Sequence, residues 1–304
     1  MSTAPPAPES AAPDDAPRDT PRDTPDEASF DARGSACGRA AGSPLLSVVV
    51  PVRNEGPNVL PLVREIHSAL RGVAHEIVYV DDGSTDDTAE RLREASRAIA
   101  DAGGSMAPRR HRVGRGQSAA IVTGVRAARS AWVATLDGDG QNDPADIPAL
   151  FERARREAPD GDGAYVLVVG HRTRRRDGAV KRLTSRAANR VRAALLGDAT
   201  PDTGCGLKLF RRADFLDLPR FDHMHRYLPA LFLRAGGRVV SVPVNHRPRL
   251  RGRSNYGTLD RLWAGLFDLA GVYWLQRRWR RPEVEVLRAD DEAPRADARP
   301  VGAS

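Results

Sequence analysis

Residues 131–144 read AWVATLDGDGQNDP, and the class of fold turns on how this stretch is read. The apolar run Ala131–Leu136 is followed at once by Asp137 and Asp139, loosened by Gly138 and Gly140. In a strand, residues i and i+2 face the same side, so two carboxylates at a strand end can converge on one hard cation. Magnesium and manganese favour oxygen ligands of this kind and usually share them with substrate phosphates. The same letters also suit a solvated turn, because Gly-Asp-Gly is ordinary turn chemistry. A calcium loop of the EF-hand type fails on spacing. The twelfth position from Asp137 is Pro148, where a bidentate Glu is needed.

Outward from this stretch, strand and helix alternate. Leu45–Val50 is a continuous apolar, β-branched run ending at Pro51, the pattern of a buried parallel strand. Asn58–Leu70 has helical spacing at Leu62, Ile66 and Leu70. Glu76–Val80 reads as a second strand, running into Asp81-Asp82-Gly83-Ser84, and Asp86–Ala100 as a helix with acidic residues in its first turn. Gly116–Arg129 and Ala145–Glu157 are further helices, and Ala131–Leu136 and Ala164–Val169 further strands. A strand is also expected near 106–113, but Met106–Val113 is mostly Arg, His and Pro and has no clear place.

The alternation predicts an α/β fold, a mostly parallel sheet with helices on both faces. Ligands of such sheets bind beyond the carboxyl ends of the strands. The polar segments Arg53–Glu55, Asp81–Ser84 and Asp137–Gln141 each follow a strand, so they are expected to meet at one edge. That convergence favours the metal reading of Asp137 and Asp139 over the turn. Gly114–Ala119, GRGQSA, imitates a dinucleotide fingerprint. Such a site needs its glycines after the first strand, which here is followed by Pro-Val-Arg-Asn-Glu instead.

The chain has 304 residues and a formal net charge of +7. Residues 1–43 and 282–304 carry few large apolar side chains and cannot offset the entropy of ordering, so both are expected to be disordered tails. The folded part is then about 45–280, the size of a single α/β domain with additions. No basic start followed by an apolar run stands near Met1, so no secretory signal is expected. The two cysteines, Cys37 and Cys205, imply no disulfide framework. The simplest expectation is cytoplasmic residence. Arginines cluster at Arg172–Arg176, Arg247–Arg253 and Arg277–Arg281, which suits nucleic acid, anionic lipid or phosphate substrates equally.

PVRNE (51–55), VDDGSTDDT (80–88), LDGDGQNDP (136–144) and GHR (170–172), in this order, resemble a family-two glycosyltransferase with the GT-A fold. DTGCGLKLFRR (202–212) and HRPRLRGRSNYG (246–257) narrow the likeness to dolichyl- and undecaprenyl-phosphate sugar transferases, the group of dolichol-phosphate mannosyltransferase. The resemblance spans about 45–276 and places the catalytic domain at 44–258. It implies inverting, metal-dependent transfer of a sugar from a nucleotide diphosphate to a polyprenyl phosphate. On that reading Asp137, Asp139 and Gln141 hold Mg2+ or Mn2+. Pro51, Glu55 and Asp82 form the donor nucleotide site, although Glu55 and Asp82 also suit capping and turn roles. Arg172, Arg182, Ser185 and Arg253 receive the acceptor phosphate, Arg172 and Arg182 counting with the two aspartates as catalytic. Arginine forks fit such work because they bind phosphate bidentately and stay charged.

Leu259–Gln276 is apolar with interruptions at Asp260, Arg261 and Asp268. It is shorter than the roughly 20 apolar residues of a bilayer span and carries charge at its centre. Arg261, Gly265 and Asp268 share one narrow helical stripe, apolar residues cover the rest, and Arg277, Arg278, Arg280 and Arg281 follow. Residues 259–281 therefore read as an amphipathic helix with a basic flank, able to lie in a membrane interface. The alternative is a helix packed against the domain or in an oligomer contact. Peripheral binding at the cytoplasmic membrane face, through this helix, a membrane partner or a homo-oligomer, is expected.

Two other functions compete. Transfer to a hydroxyl of a glycan or lipid would call for a carboxylate base, and Asp202 is a candidate. A basic nucleic-acid-binding protein would interleave aromatic residues with its arginines. Arg172–Arg192 contains no Phe, Tyr or Trp, so no nucleic-acid partner is expected.

Overall fold

The computed structural model of the protein describes residues 43–159, 164–173, 192–248 and 258–278. Its strands are β1 (Leu46–Val52), β2 (His75–Asp81), β3 (Arg109–Arg110), β4 (Trp132–Thr135), β5 (Val166–Arg172), β6 (Lys208–Arg211) and β7 (Arg238–Val244). They form one sheet in the order β3-β2-β1-β4-β6-β5-β7. Every pairing is parallel except those of β6, which runs antiparallel to both β4 and β5. The reversal has a functional consequence. It brings the start of β6, with residues 202–206 before it, to the edge where β1, β2, β4 and β5 end.

The first strands are buried on both faces, so they read as continuous apolar runs. Leu46, Val48, Val50, Ile77 and Tyr79 point into one core with Leu62, Ile66, Leu150 and Phe151. Those partners come from α1 (Gly56–Ala69) and α4 (Ile147–Glu157), joined by α2 (Thr88–Asp101) through Leu92 and Ile99. Val49, Val78 and Val80 point the other way, into a core with Ile121 and Val125 of α3 (Gln117–Ala127). Phe215, Leu228, Leu231 and Phe232, from helices Arg212–Leu216 and Leu228–Arg234, complete that second core.

The expected strand near 106–113 is a short edge. Arg109 and Arg110 pair with Val80 and Asp81, and Met106 bridges to Ile77. Both arginines are exposed, which an edge position allows, and Pro108 interrupts the ladder where its missing N–H does least harm.

The helix Thr258–Arg278 docks on the second core with Gly265 and Asp268 turned inward. Its buried face carries Val272, with Leu269, Tyr273 and Leu275 packed beside it. Asp268 accepts a hydrogen bond from His223 Nδ1 at 2.8 Å, and the Gly265 carbonyl accepts one from Tyr227 Oη at 3.1 Å. Gln276 Nε2 donates to the Leu196 and Ala230 carbonyls at 2.9 and 3.3 Å. Leu266, Phe267 and Trp274 are 50, 75 and 56% exposed on the opposite side. Among the described residues, no helix is long and apolar enough to cross a membrane.

Candidate active site

Four loops leave the sheet at one edge and bind one another. Asn54, in the loop after β1, donates its N–H to Ser84 Oγ at 2.9 Å and accepts the Thr85 N–H on Oδ1 at 2.8 Å. Asp82, just past β2, accepts the N–H groups of Arg115 and Gly116, both at 2.7 Å, and His111 Nδ1 at 2.7 Å. Burial would raise the pKa of Asp82, but these donors outweigh it and hold the carboxyl below its usual range. His111 Nε2 in turn lies 2.9 Å from Thr123 Oγ1. Asp82 thus ties the glycine-rich turn at 114–116 to the end of β2. Glu55 precedes α1 and accepts Asn58 Nδ2 at 2.6 Å.

The loop after β4 is shaped by its own side chains. Asp139 Oδ1 accepts the Gln141 N–H at 3.0 Å, and Asn142 Oδ1 accepts the Asp137 N–H at 3.3 Å. Asn142 Nδ2 also donates to Cys205 Sγ at 3.8 Å, linking this loop to residues 202–206. Arg247 N–H donates to the Gln141 carbonyl at 2.9 Å, and its guanidinium pairs with Asp143 and Glu65. A Cβ at Gly138 would meet Val52 Cγ1 at 2.2 Å, so the turn packs onto β1 as only glycine can.

Asp137 stands at the floor of a cavity of about 250 Å³, with Pro51, Gln117, Thr203, Gly206, Lys208 and Arg226 on its walls. Gln117 Nε2 donates to Asp137 Oδ1 at 2.9 Å. Desolvation raises the pKa of the Asp137 carboxyl and the neighbouring Asp139 raises it further, against the pull of Lys208, Gln117 and Arg172. A cation between the two carboxylates would remove that penalty. No group of three or more His, Cys, Asp or Glu side chains able to hold a metal occurs among the described residues. Two carboxylates with no third His, Cys, Asp or Glu grouped with them among the described residues fit an ion that completes its shell with phosphate and water, as Mg2+ does.

Arg172, the last residue of β5, forms a fork with Asp202. Its Nε donates to Oδ2 at 2.7 Å and its second nitrogen to Oδ1 at 2.9 Å. The candidate acceptor arginine and the candidate base are therefore one ion pair, with Asp202 only 4% exposed. Arg182, Ser185 and Arg253 lie outside the described residues.

Four residues of the cavity were not anticipated. Lys208, buried at the start of β6, donates to the Cys205 carbonyl. Burial lowers its pKa, partly offset by Asp137 and Asp202 among its neighbours. Its signal was a lone cation in the apolar run Gly206-Leu-Lys-Leu-Phe. Gln117 sits in the glycine-rich run that imitates a dinucleotide motif. His225 and Arg226 follow β6 by some distance, in a short 3-10 turn. Ser118 Oγ lies 2.7 Å from His225 Nδ1. Burial, with the charges of Lys208 and Arg226, pushes the His225 imidazole down to about 3, so it is neutral near pH 7.

A mostly parallel sheet with a carboxylate pair behind a central strand is the architecture of the GT-A glycosyltransferases, and this protein is one of them. Residues 47–218 match Glycosyl transferase family 2, and the chain belongs to that family. Dodecaprenyl-phosphate galacturonate synthase of Rhizobium johnstonii is 34% identical over 242 residues, covering 78% of this chain and 69% of that protein. Undecaprenyl-phosphate 4-deoxy-4-formamido-L-arabinose transferase of Pseudomonas paraeruginosa is 36% identical over 227 residues, covering 74% and 64%. The chain thus spans about two thirds of the length of these relatives. Glucosyl-3-phosphoglycerate synthase from Mycobacterium tuberculosis shares the fold. Its complex with Mn2+, uridine diphosphate and glucosyl-3-phosphoglycerate matches with a TM-score of 0.52 at 20% identity, covering 77% of this chain and 80% of that one.

Proposed function

We propose that the protein transfers a sugar from a nucleoside-diphosphate sugar to a polyprenyl phosphate, with inversion at the anomeric carbon. The Arg172–Asp202 fork carries this reading. A hydroxyl acceptor needs a base to take its proton, and the carboxylate placed for that task is committed to an arginine. A phosphate acceptor is already anionic and needs positive charge to bring it to an anionic donor. Arg172, held at the end of β5 and aimed by Asp202, supplies that charge. Arg182, Ser185 and Arg253 are assigned to the same phosphate. The two relatives, both named as polyprenyl-phosphate enzymes, support the same reading.

In the reaction, a phosphate oxygen bonds to the anomeric carbon from the face opposite the nucleotide. The electron pair of the breaking C–O bond departs with the nucleoside diphosphate, and no proton changes hands. Asp137, Asp139 and Gln141 would hold a divalent ion, Mg2+ or Mn2+, which when bound neutralises charge on the departing diphosphate. Pro51, Glu55 and Asp82 are assigned to the nucleotide, and Asp82 also fixes the turn before α3. The lipid acceptor would be reached at a membrane surface. Leu266, Phe267 and Trp274 face outward from the terminal helix, and Arg277 and Arg278 follow them.

A panel of nucleotide sugars, each incubated with undecaprenyl phosphate and Mn2+, tests the reading through lipid-linked product. Product from one or more donors is expected. Its absence with every donor, alongside transfer to a soluble alcohol, rejects the acceptor assignment.

A further inference from the structure

His223 and Tyr227 flank the two cavity residues His225 and Arg226, and both are tied to the terminal helix. His223 Nδ1 donates to Asp268 Oδ2 at 2.8 Å, and Tyr227 Oη donates to the Gly265 carbonyl at 3.1 Å. Gly265 and Asp268 are one helical turn apart on the inward stripe. Between the anchors, Met224 is buried in the second core, His225 reaches Ser118, and Arg226 lines the cavity beside Asp137. The segment starts at His223, whose φ of 62° lies in the left-handed region, uncommon for residues other than glycine.

The same helix turns a second set of apolar side chains to solvent. Leu266, Phe267 and Trp274 project away from the core. Arg277 lies over the Tyr273 ring at 4.4 Å and Arg278 over Trp274 at 5.9 Å. Aromatic and aliphatic side chains beside exposed arginines, with the helix's Asp268 turned inward, match an anionic lipid surface in both polarity and charge.

We infer that the terminal helix couples an anionic lipid surface to the cavity, with Asp268, His223 and Tyr227 as positioning residues that set His225 and Arg226. Lipid held on the outer face fixes the helix, and the helix fixes the 223–227 segment through its two anchors. The site is then best formed where a lipid-borne acceptor is present. The coupling rests on the polyprenyl-phosphate reading for its purpose but not for its test.

The test uses the full chain and vesicles of phosphatidylglycerol or of phosphatidylcholine alone, without donor or acceptor. Phosphatidylglycerol vesicles should bind the protein and slow amide exchange in residues 223–228, and phosphatidylcholine vesicles should do neither. Asp268→Ala should bind phosphatidylglycerol as well as the parent, because the outer face is unchanged, yet lose the slowing at 223–228. Asp268→Glu should recover it. His223→Gly, which adopts a left-handed backbone without cost, should behave as Asp268→Ala even if the latter fails to fold. With a donor in hand, Asp268→Ala should lower kcat on vesicles about tenfold and leave the KM for the nucleotide sugar within about twofold. Exchange at 223–228 that ignores vesicles in the parent, or slowing that survives both His223→Gly and Asp268→Ala, overturns the coupling. A concentration-dependent dimer that excludes vesicles overturns the lipid assignment. Failure of the donor panel leaves the exchange result standing, so the two readings fall separately.

Discussion

Gly206 lies against the Asp137 carboxylate so closely that a Cβ there would stand 2.1 Å from Oδ2. The residue before the Leu207–Phe210 run therefore shapes the candidate metal site, although it contributes no side chain. Gly206→Ala is expected to push Asp137 from its place. Displacement of a catalytic group by about 1 Å costs on the order of 100-fold in rate. The expected result is a loss of that size in kcat with an unchanged circular dichroism spectrum. Parent-like turnover would show that Asp137 tolerates relocation.

Asp139 is the second carboxylate of the pair, two residues after Asp137. Its loss removes one of two carboxylates available to a cation, and Lewis-acid stabilisation of a departing diphosphate is worth several kcal/mol. Asp139→Ala should thus lower turnover about a thousandfold or more. Chelation of the parent should have the same effect, reversed by Mg2+ or Mn2+. Full activity in chelator would remove the metal from the account.

Substitutions at Arg172 and Asp202 distinguish acceptor binding from base catalysis. Arg172→Lys keeps the charge and loses the planar fork, so the KM for polyprenyl phosphate should rise about tenfold, the worth of one charge-assisted hydrogen bond. Asp202→Asn should act mainly through the same KM, leaving the pH profile of kcat in place. Loss of the acidic limb from that profile would instead identify Asp202 as a base.

Glu76, at the opposite edge of the sheet, is a stability determinant. It is 1% exposed and accepts Ser47 Oγ at 2.6 Å and the Arg129 N–H and Nε at 2.6 and 2.7 Å. Burial alone would raise its pKa, but these donors hold it below the usual value. A depressed carboxylate stabilises the fold fully above its unfolded pKa of about 4.3. That stabilisation is lost as pH falls from there through the folded value. Glu76→Gln should cost about 1–3 kcal/mol near pH 7 and show a flatter acid limb in melting temperature than the parent.

Much of this was legible before the structure. Val48, Val50, Ile77 and Tyr79 announce strands buried on both faces, and the apolar run before Asp137 and Asp139 announces that their loop leaves the end of a strand. The second half was harder, for physical reasons. β6 is four residues long and antiparallel, so Lys208 gives no alternation to follow, and only its isolation among apolar neighbours marks it. Gln117 was hidden in a glycine-rich run whose better-known meaning is a dinucleotide loop. Its role depends on Asp82 gripping the N–H groups of Arg115 and Gly116, a contact across 33 residues or more. The terminal helix displayed its polar stripe in the sequence. Which way the stripe faces depends on His223 and Tyr227, and periodicity within one helix carries no such information.

Parallel reactions with undecaprenyl phosphate and with undecaprenol, using one active nucleotide sugar and Mn2+, decide whether the acceptor is a phosphate. Sugar-linked lipid is expected from the phosphate alone, its yield falling in Arg172→Lys. Equal product from the alcohol would show that the acceptor phosphate is not required.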